Sequence, residues 1–238
     1  MGRAFEVRKV AMAKTAAVKS KLYAKFGREI FLAAKSGSPD PETNQTLKRM
    51  IEKAKREQVP ADVIKRNIDK AKGGGEDNLS SIRYEGFGPG NSMFIVECLT
   101  DNMNRTISEV RNCFTKTGGK IGISGSVVHQ FNHQAVFSMK GITEDELLEI
   151  LVLNDIDADI ESDEEFVTVY SDANTFNAIR VALNDAKPDL DYDTEQIMWL
   201  PIVNTQLDTE EDQEKFDRLM SMLDELDDVQ DVYHNVSL

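Results

Sequence analysis

Residues 83–127 read RYEGFGPGNSMFIVECLTDNMNRTISEVRNCFTKTGGKIGISGSV, and their order of turn, strand and helix signals decides the fold. Gly86, Gly88, Pro89, Gly90 and Asn91 cluster as turn residues. Met93 to Leu99 follows as an apolar run of strand length with the β-formers Phe94, Ile95 and Val96. A loop feeding a buried strand is expected. Thr100, Asp101 and Asn102 supply capping side chains, and Ile107, Val110, Cys113 and Phe114 recur at helical spacing. Gly118 and Gly119 can take the positive φ that ends a helix. A second strand over Val127 to Phe131 completes a strand, helix, strand unit whose Gly-, Asn- and Arg-rich loops are where function is expected, at Arg83, Tyr84, Gly86, Gly88, Asp101, Asn102, Asn104 and Arg105.

On either side of this unit the charge divides. Residues 1–75 hold 18 Lys and Arg against 8 Asp and Glu, while residues 76–238 hold 10 against 34, within a net charge of −14. A basic module on an acidic body points to nucleic acid, since the body alone repels phosphate and anionic membrane alike.

The basic third has helical periodicity. Val18, Leu22, Phe26, Ile30 and Ala33 or Ala34 form one apolar stripe, with Lys19, Lys21, Lys25, Arg28 and Lys35 largely off it. Gly37, Pro39 and Pro41 end that helix. Thr43 or Asn44 caps a second, with Leu47, Met50, Ile51 and Ala54 inward and Lys48, Arg49, Lys53, Lys55 and Arg56 outward. Pro60 and Asp62 open a third, where Val63, Ile64, Ile68 and Ala71 face inward and Lys65, Arg66, Lys70 and Lys72 face water. A three-helix bundle is predicted. Too few acids are present to pair these cations along the helices, so phosphate contacts are expected at Arg3, Arg8, Lys9, Lys14, Lys19, Lys21, Lys25, Arg28, Lys48, Arg49, Lys53, Lys65 and Arg66. Gly73-Gly74-Gly75, where the charge changes sign, reads as a flexible joint, because no Lys-Ser/Thr follows it as a phosphate-binding loop requires.

From Ala135 to Leu200 the signals are strand Ala135–Met139, a helix opened by the capping box Thr143-x-x-Glu146, strand Ala158–Glu161, strand Phe166–Tyr170, helix Ala173–Ala186 and strand Leu190–Met198. That is β-α-β-β-α-β, the ferredoxin-like order. Pro201–Leu207 as a strand, a helix carrying Phe216, Leu219, Met220, Leu223 and Leu226, and a last strand Val229–Val236 mirror the central unit. The fold class is therefore α+β: an N-terminal three-helix bundle, then two α/β domains, one ferredoxin-like and inserted in the other. The expected divisions are 1–75, 80–133 with 201–238, and 134–200.

Chemistry finds little support. Asp155-x-Asp157-x-Asp159 and Asp189-x-Asp191-x-Asp193 resemble the start of a calcium loop, but positions six and twelve are Ile160 and Phe166 or Thr194 and Leu200, where Gly and Glu are needed. His129, His133 and His234 share no ligand spacing with a carboxylate or Cys, and Cys98 and Cys113 read as buried thiols. No catalytic residue, metal, cofactor or small-molecule substrate is expected. With no apolar run approaching 18 residues and no signal-peptide core, neither is a membrane partner, and the cytoplasm is the expected compartment.

Lys25-Phe-Gly-Arg-Glu-Ile, Pro39-Asp-Pro-Glu-Thr-Asn, Arg83-Tyr-Glu-Gly-Phe-Gly-Pro, Leu99-Thr-Asp-Asn-x-Asn-Arg-Thr106, Gly118-Gly-Lys-Ile-Gly and Asp228-Val-Gln-Asp-Val-Tyr-His-Asn235 resemble the YebC/PmpR family, which includes the mitochondrial translational activator of cytochrome c oxidase. The match spans almost the whole chain. The chain departs from it at Gly2-Arg-Ala-Phe-Glu-Val-Arg-Lys9, where many relatives have Gly-His-Ser-Lys-Trp-x-Asn-Ile. The resemblance implies three domains, one inserted in another, and a regulator of gene expression. Its targets in the family are duplex DNA, for transcriptional regulators, or the ribosome and its RNA, for translation factors that include those acting at proline-rich stalls. An acidic protein-interaction module, with lysines that only solubilise, is the third reading.

Overall fold

A computed structural model describes residues 19, 21–72, 79–163 and 165–237. Arg3, Arg8, Lys9, Lys14 and the joint at Gly73–Gly75 lie outside the described residues. The order is a helical bundle, a four-stranded sheet with two helices, and a second four-stranded sheet with two more helices placed in the chain between the third and fourth strands of the first.

In the bundle, helix α1 (21–35) buries Phe26, Ile30, Ala33 and Ala34, helix α2 (Gln45–Arg56) buries Leu47 and Ala54, and helix α3 (Ala61–Lys72) buries Ile64. At roughly 1.5–3 kcal/mol for each large apolar side chain removed from water, this core drives the packing of the three helices. Asn44 ties their ends together. Its Oδ1 accepts from Leu47 N at 3.0 Å as the N-cap of α2, while its Nδ2 donates to Ala33 O at 2.8 Å and Ser38 O at 2.7 Å. The α2–α3 corner is a Schellman turn: Val59 N donates to Ala54 O and Gln58 N to Lys55 O, with Gln58 at φ 57° where glycine is usual.

The first sheet has the order β3-β1-β2-β8, from β1 (Ser80–Phe87), β2 (Met93–Thr100), β3 (Lys120–Ile121) and β8 (Val229–His234). Two sequence expectations are corrected here. Arg83, Tyr84 and Gly86, expected in a loop, lie in strand β1; the turn that feeds β2 starts only at Gly88, whose N donates to Ser92 O at 2.8 Å. Val127–Phe131 is not the second strand of the unit. The buried Glu85 carboxylate takes the backbone N–H groups of Gly125, Val127 and Val128 at 2.6–2.8 Å, so these donors are lost to a ladder and residues 128–130 form a 3₁₀ turn instead. Helix α4 (Met103–Lys116) buries Thr106, Val110, Cys113 and Phe114, and helix α7 (Glu210–Asp224) contributes Phe216, Leu219 and Leu223 to the core. Burial pushes the Cys98 thiol up to about 12, which keeps it protonated.

The second sheet, order β5-β6-β4-β7, is formed by β4 (Phe131–Lys140), β5 (Asp159–Ser162), β6 (Val167–Asp172) and β7 (Asp191–Pro201). Its three strand pairings are all antiparallel, with Phe137 of β4 opposite Val169 on one side and Glu195 on the other. One face is covered by helices α5 (Glu144–Leu153) and α6 (Phe176–Ala186), giving a core of Phe137, Met139, Val169, Leu147, Leu151, Ile179 and Leu183 among others. This is the ferredoxin-like β-α-β-β-α-β unit. The capping box at α5 is present, and the Lys187 ammonium, followed by the Thr143 backbone N–H, holds Glu146 down at about 2. Pro201–Leu207 is not a strand. Pro201 ends β7, opposite Phe131; beyond it Ile202 and Val203 are exposed, and the segment's one bridge among the described residues joins Thr205 to Val236.

One buried carboxylate fastens the start of α4 to the start of β8. Asp228 Oδ2 accepts from Thr100 Oγ1 at 3.1 Å, Thr106 Oγ1 at 2.8 Å and Arg105 Nη2 at 2.8 Å, while its backbone O accepts from Leu99 N at 2.8 Å. Arg105 also reaches Asp101 at 2.8 Å, and Asn102 Oδ1 caps the helix at Arg105 N. Burial by itself raises the Asp228 pKa, but the bonds from Arg105, Thr106 and Thr100 and the charge of Arg28 outweigh it and hold the group below its ordinary 3.8. A depressed folded-state pKa stabilises above the unfolded value, and that contribution is lost as pH falls through the folded one. Asp228→Ala is therefore expected to cost about 3 kcal/mol in urea unfolding at neutral pH, with the gap to wild type closing as pH is lowered below about 3.8. A gap independent of pH contradicts the role given to the charge. At Gly88 a Cβ would sit 2.5 Å from Phe94 and 2.6 Å from Ser92 Oγ, so Gly88→Ala is expected to cost roughly 1–3 kcal/mol by the same measurement.

Candidate nucleic-acid interface

The chain divides into two compact units, and the described bundle falls in one of them with residues 96–116 and 217–232. Within that unit the basic side chains separate into three groups.

The first group is engaged internally. Lys21 Nζ lies 3.4 Å from Asp224, Lys25 Nζ 3.0 Å from Asp231, and Arg28 Nη1 3.1 Å from Asp228. Lys25 also donates to the Gln230 carbonyl and Arg28 to the Asp227 carbonyl. All three cations are about a quarter exposed, but Asp224 is 88% and Asp231 44% exposed, against 3% for Asp228. Solvated pairs of this kind contribute about 0–1 kcal/mol each. Lys21 is the loosest, with its ammonium shielded yet making no hydrogen bond among the described residues. Glu29 sits beside them, its carboxyl pushed up by burial against the pull of Lys25 and Lys53. Off-stripe positions on α1 thus face not water alone but the acidic edge formed by the end of α7 and the start of β8.

Helix ends account for the second group. Lys53, Lys55 and Arg56 occupy the last turn of α2, and Lys70 and Lys72 the last turn of α3, where cations complement the partial negative charge of the helix terminus. Lys72 also pairs with Asp69 at 3.4 Å.

The third group has no such role. Lys48 stands near the start of α2, where the helix dipole disfavours a cation, and Lys65 and Arg66 stand in the first half of α3. All three are exposed and form no ion pair among the described residues. Lys19 is exposed as well, whereas Arg49 is half-buried and bonds Gln45 O and Thr46 Oγ1. Lys55, Lys65 and Lys72 also meet around a groove of about 500 Å³ floored by Ile64 and Ile68, which adds Lys55 and Lys72 to the positions expected from sequence.

The loops expected to be functional are tied into the first sheet. Arg83 pairs with Glu97 at 2.8 Å, and buried Tyr84 donates to Met103 O at 3.3 Å. Gly86 lies in β1 opposite Ile121, Gly88 fits against Phe94, and Asp101, Asn102 and Arg105 belong to the Asp228 network. Asn104 is exposed in the first turn of α4, its carbonyl accepting from Ser108. Asp228 was not among the expected site residues: it stands just ahead of a strand, in a run that also holds Asp224, Glu225, Asp227 and Asp231 and so does not mark it out. Of the histidines, His133 stacks on Trp199 at 4.2 Å and His234 packs against Phe216 and Phe94, its pKa lowered by burial. Among the described residues no helix is long and apolar enough to cross a membrane.

Comparison with known proteins covers nearly the full chain. Residues 3–74 match the TACO1/YebC protein N-terminal domain, and residues 79–236 match the TACO1/YebC second and third domain. A protein of Acholeplasma laidlawii named probable transcriptional regulatory protein is 58% identical over 99% of this chain and 98% of its own length. Relatives of the same description from Alteromonas mediterranea and Vibrio atlanticus are 54% and 52% identical, over 99% and 100% of this chain and 98% and 100% of their own. The crystal structure of a conserved hypothetical protein from Aquifex aeolicus superposes with a TM-score of 0.77 at 36% identity, over 92% of this chain and 90% of that one. The matches run through the helical bundle and both sheets, and the chain belongs to the TACO1/YebC family.

Proposed function

We propose that this protein is a regulator of gene expression that works in the cytoplasm by binding nucleic acid, without a catalytic step, through the exposed cations of α2 and α3. The observation that carries the reading is Lys48, Lys65 and Arg66: exposed, outside any ion pair among the described residues, and placed where they do not serve helix stability. The relatives' description as probable transcriptional regulatory proteins supports duplex DNA as the target. In this reading the bundle, with the arm at Arg3, Arg8, Lys9 and Lys14, meets the phosphates, the acidic remainder keeps other surfaces off them, and residues 134–200 form the inserted domain.

The charge partition favours a second target, ribosomal RNA in a ribosomal cleft, where one end of the protein touches phosphate and the other is held away. A lone bundle reads a palindromic operator poorly, since such operators mirror a two-fold axis in the protein.

The test is fluorescence anisotropy with a random-sequence duplex and with ribosomal RNA fragments, at matched salt. If about four phosphates are engaged, affinity falls on the order of 10²-fold between 50 and 200 mM salt. The variant Lys48→Glu/Lys65→Glu/Arg66→Glu is expected to keep the wild-type melting temperature and lose roughly 100-fold in affinity. Salt-independent binding, or a triple variant that binds like wild type, overturns the reading.

A further inference from the structure

We infer that Lys21, Lys25 and Arg28 of α1 form a second phosphate-binding strip which the protein's own acidic edge, Asp224, Asp228 and Asp231, occupies in the absence of nucleic acid. This rests on the nucleic-acid reading above and adds regulation to it: the edge is an intramolecular competitor that nucleic acid must displace.

Geometry makes the strip. The three cations stand at i, i+4 and i+7 on α1, one face of a helix, and span about 10 Å along its axis. One strand of duplex presents about three phosphates over the same length. The carboxylates facing them lie at 3.0–3.4 Å, so the edge presents anions where a phosphate backbone would.

The character of the contact makes it displaceable. The named contacts of the strip are ion pairs and two hydrogen bonds to the carbonyls of Gln230 and Asp227. The buried apolar cluster of the bundle is drawn from residues 22–71 alone, with none from α7 or β8. Releasing the edge therefore leaves the bundle core intact. Asp228 is anchored elsewhere as well, by Thr100, Arg105 and Thr106, and those bonds do not involve Arg28. Asp224 and Asp231 are solvated already and lose little when their lysines leave. A polyanion replaces the two weak contacts, and the third carboxylate stays satisfied.

The account fixes the sign of a substitution that would otherwise be neutral. Asp224→Asn/Asp231→Asn removes the competitor and leaves every cation in place, so affinity for the random-sequence duplex is expected to rise about 3–10-fold, the range set by two solvated ion pairs. Glu149→Gln/Asp185→Asn makes the same change of net charge on α5 and α6, and is expected to move affinity less than 2-fold. Equal gains in the two variants would mean charge alone, and overturn the latch. A second readout does not depend on affinity. Spin labels at Gln45→Cys and Ser221→Cys, both exposed while Cys98 and Cys113 are buried, report the distance from α2 to α7 in the full chain. Saturating duplex is expected to lengthen or broaden that distance, and Asp224→Asn/Asp231→Asn to do so without duplex. If duplex binds with the distance unchanged, the latch is wrong and the nucleic-acid function stands. If neither wild type nor variant binds duplex or ribosomal RNA, both fall together.

Discussion

The Asp228 carboxylate is the point on which the arrangement of this unit depends. It lies where the chain, having completed the inserted domain and α7, returns to the first sheet, and it is met there by donors from the end of β2 and the start of α4. Taking a carboxylate out of water is unfavourable unless its lone pairs are filled, and here two hydroxyls and a guanidinium fill them. The motif around Thr100-Asp101-Asn102 and Arg105-Thr106 is thereby given a structural reason. Its residues are a receptor for one acid more than a hundred positions away.

That same acid links the knot to the bundle through Arg28. Two kinds of force then operate side by side. The bundle core and the sheet cores are apolar, at roughly 1.5–3 kcal/mol for each large side chain, and are not screened by salt. The contacts from α1 to the acidic edge are ionic, weaker by severalfold, and screened by salt. A division of labour follows from the magnitudes: folding is set by the first kind, and only the second is weak enough for a polyanion, on the function proposed, to displace. The charge asymmetry of the sequence is visible in this second layer, where acid and base stand face to face within one chain.

Local patterns were legible. The apolar stripe Leu22, Phe26, Ile30 and Ala33 or Ala34, the cap at Asn44, the capping box at Thr143 and the β-α-β-β-α-β order could all be read, because each is set by residues within a few positions of one another. What escaped was non-local. Glu85 converts a stretch with strand propensity at Val127 into a turn by taking its amide protons from 42 residues away. Pro201–Leu207 has the composition of a strand but lacks a continuous partner. Ser80–Phe87 was hidden by Gly86 and Gly88, which read as turn residues although the first lies within the strand. Lys21, Lys25 and Arg28 were legible as off the apolar stripe, but periodicity does not tell what faces a cation, and their partners lie about 200 positions on.

The central claim is that phosphate meets this protein at its helical bundle and not at its acidic remainder. Ultraviolet crosslinking in living cells, followed by mass spectrometry of the crosslinked peptides and sequencing of the attached nucleic acid, measures this directly and names the target as DNA or ribosomal RNA in the same experiment. The account predicts crosslinks concentrated in residues 45–72 and in α1. Crosslinks confined to residues 134–200, or to the exposed face of α7, would contradict it.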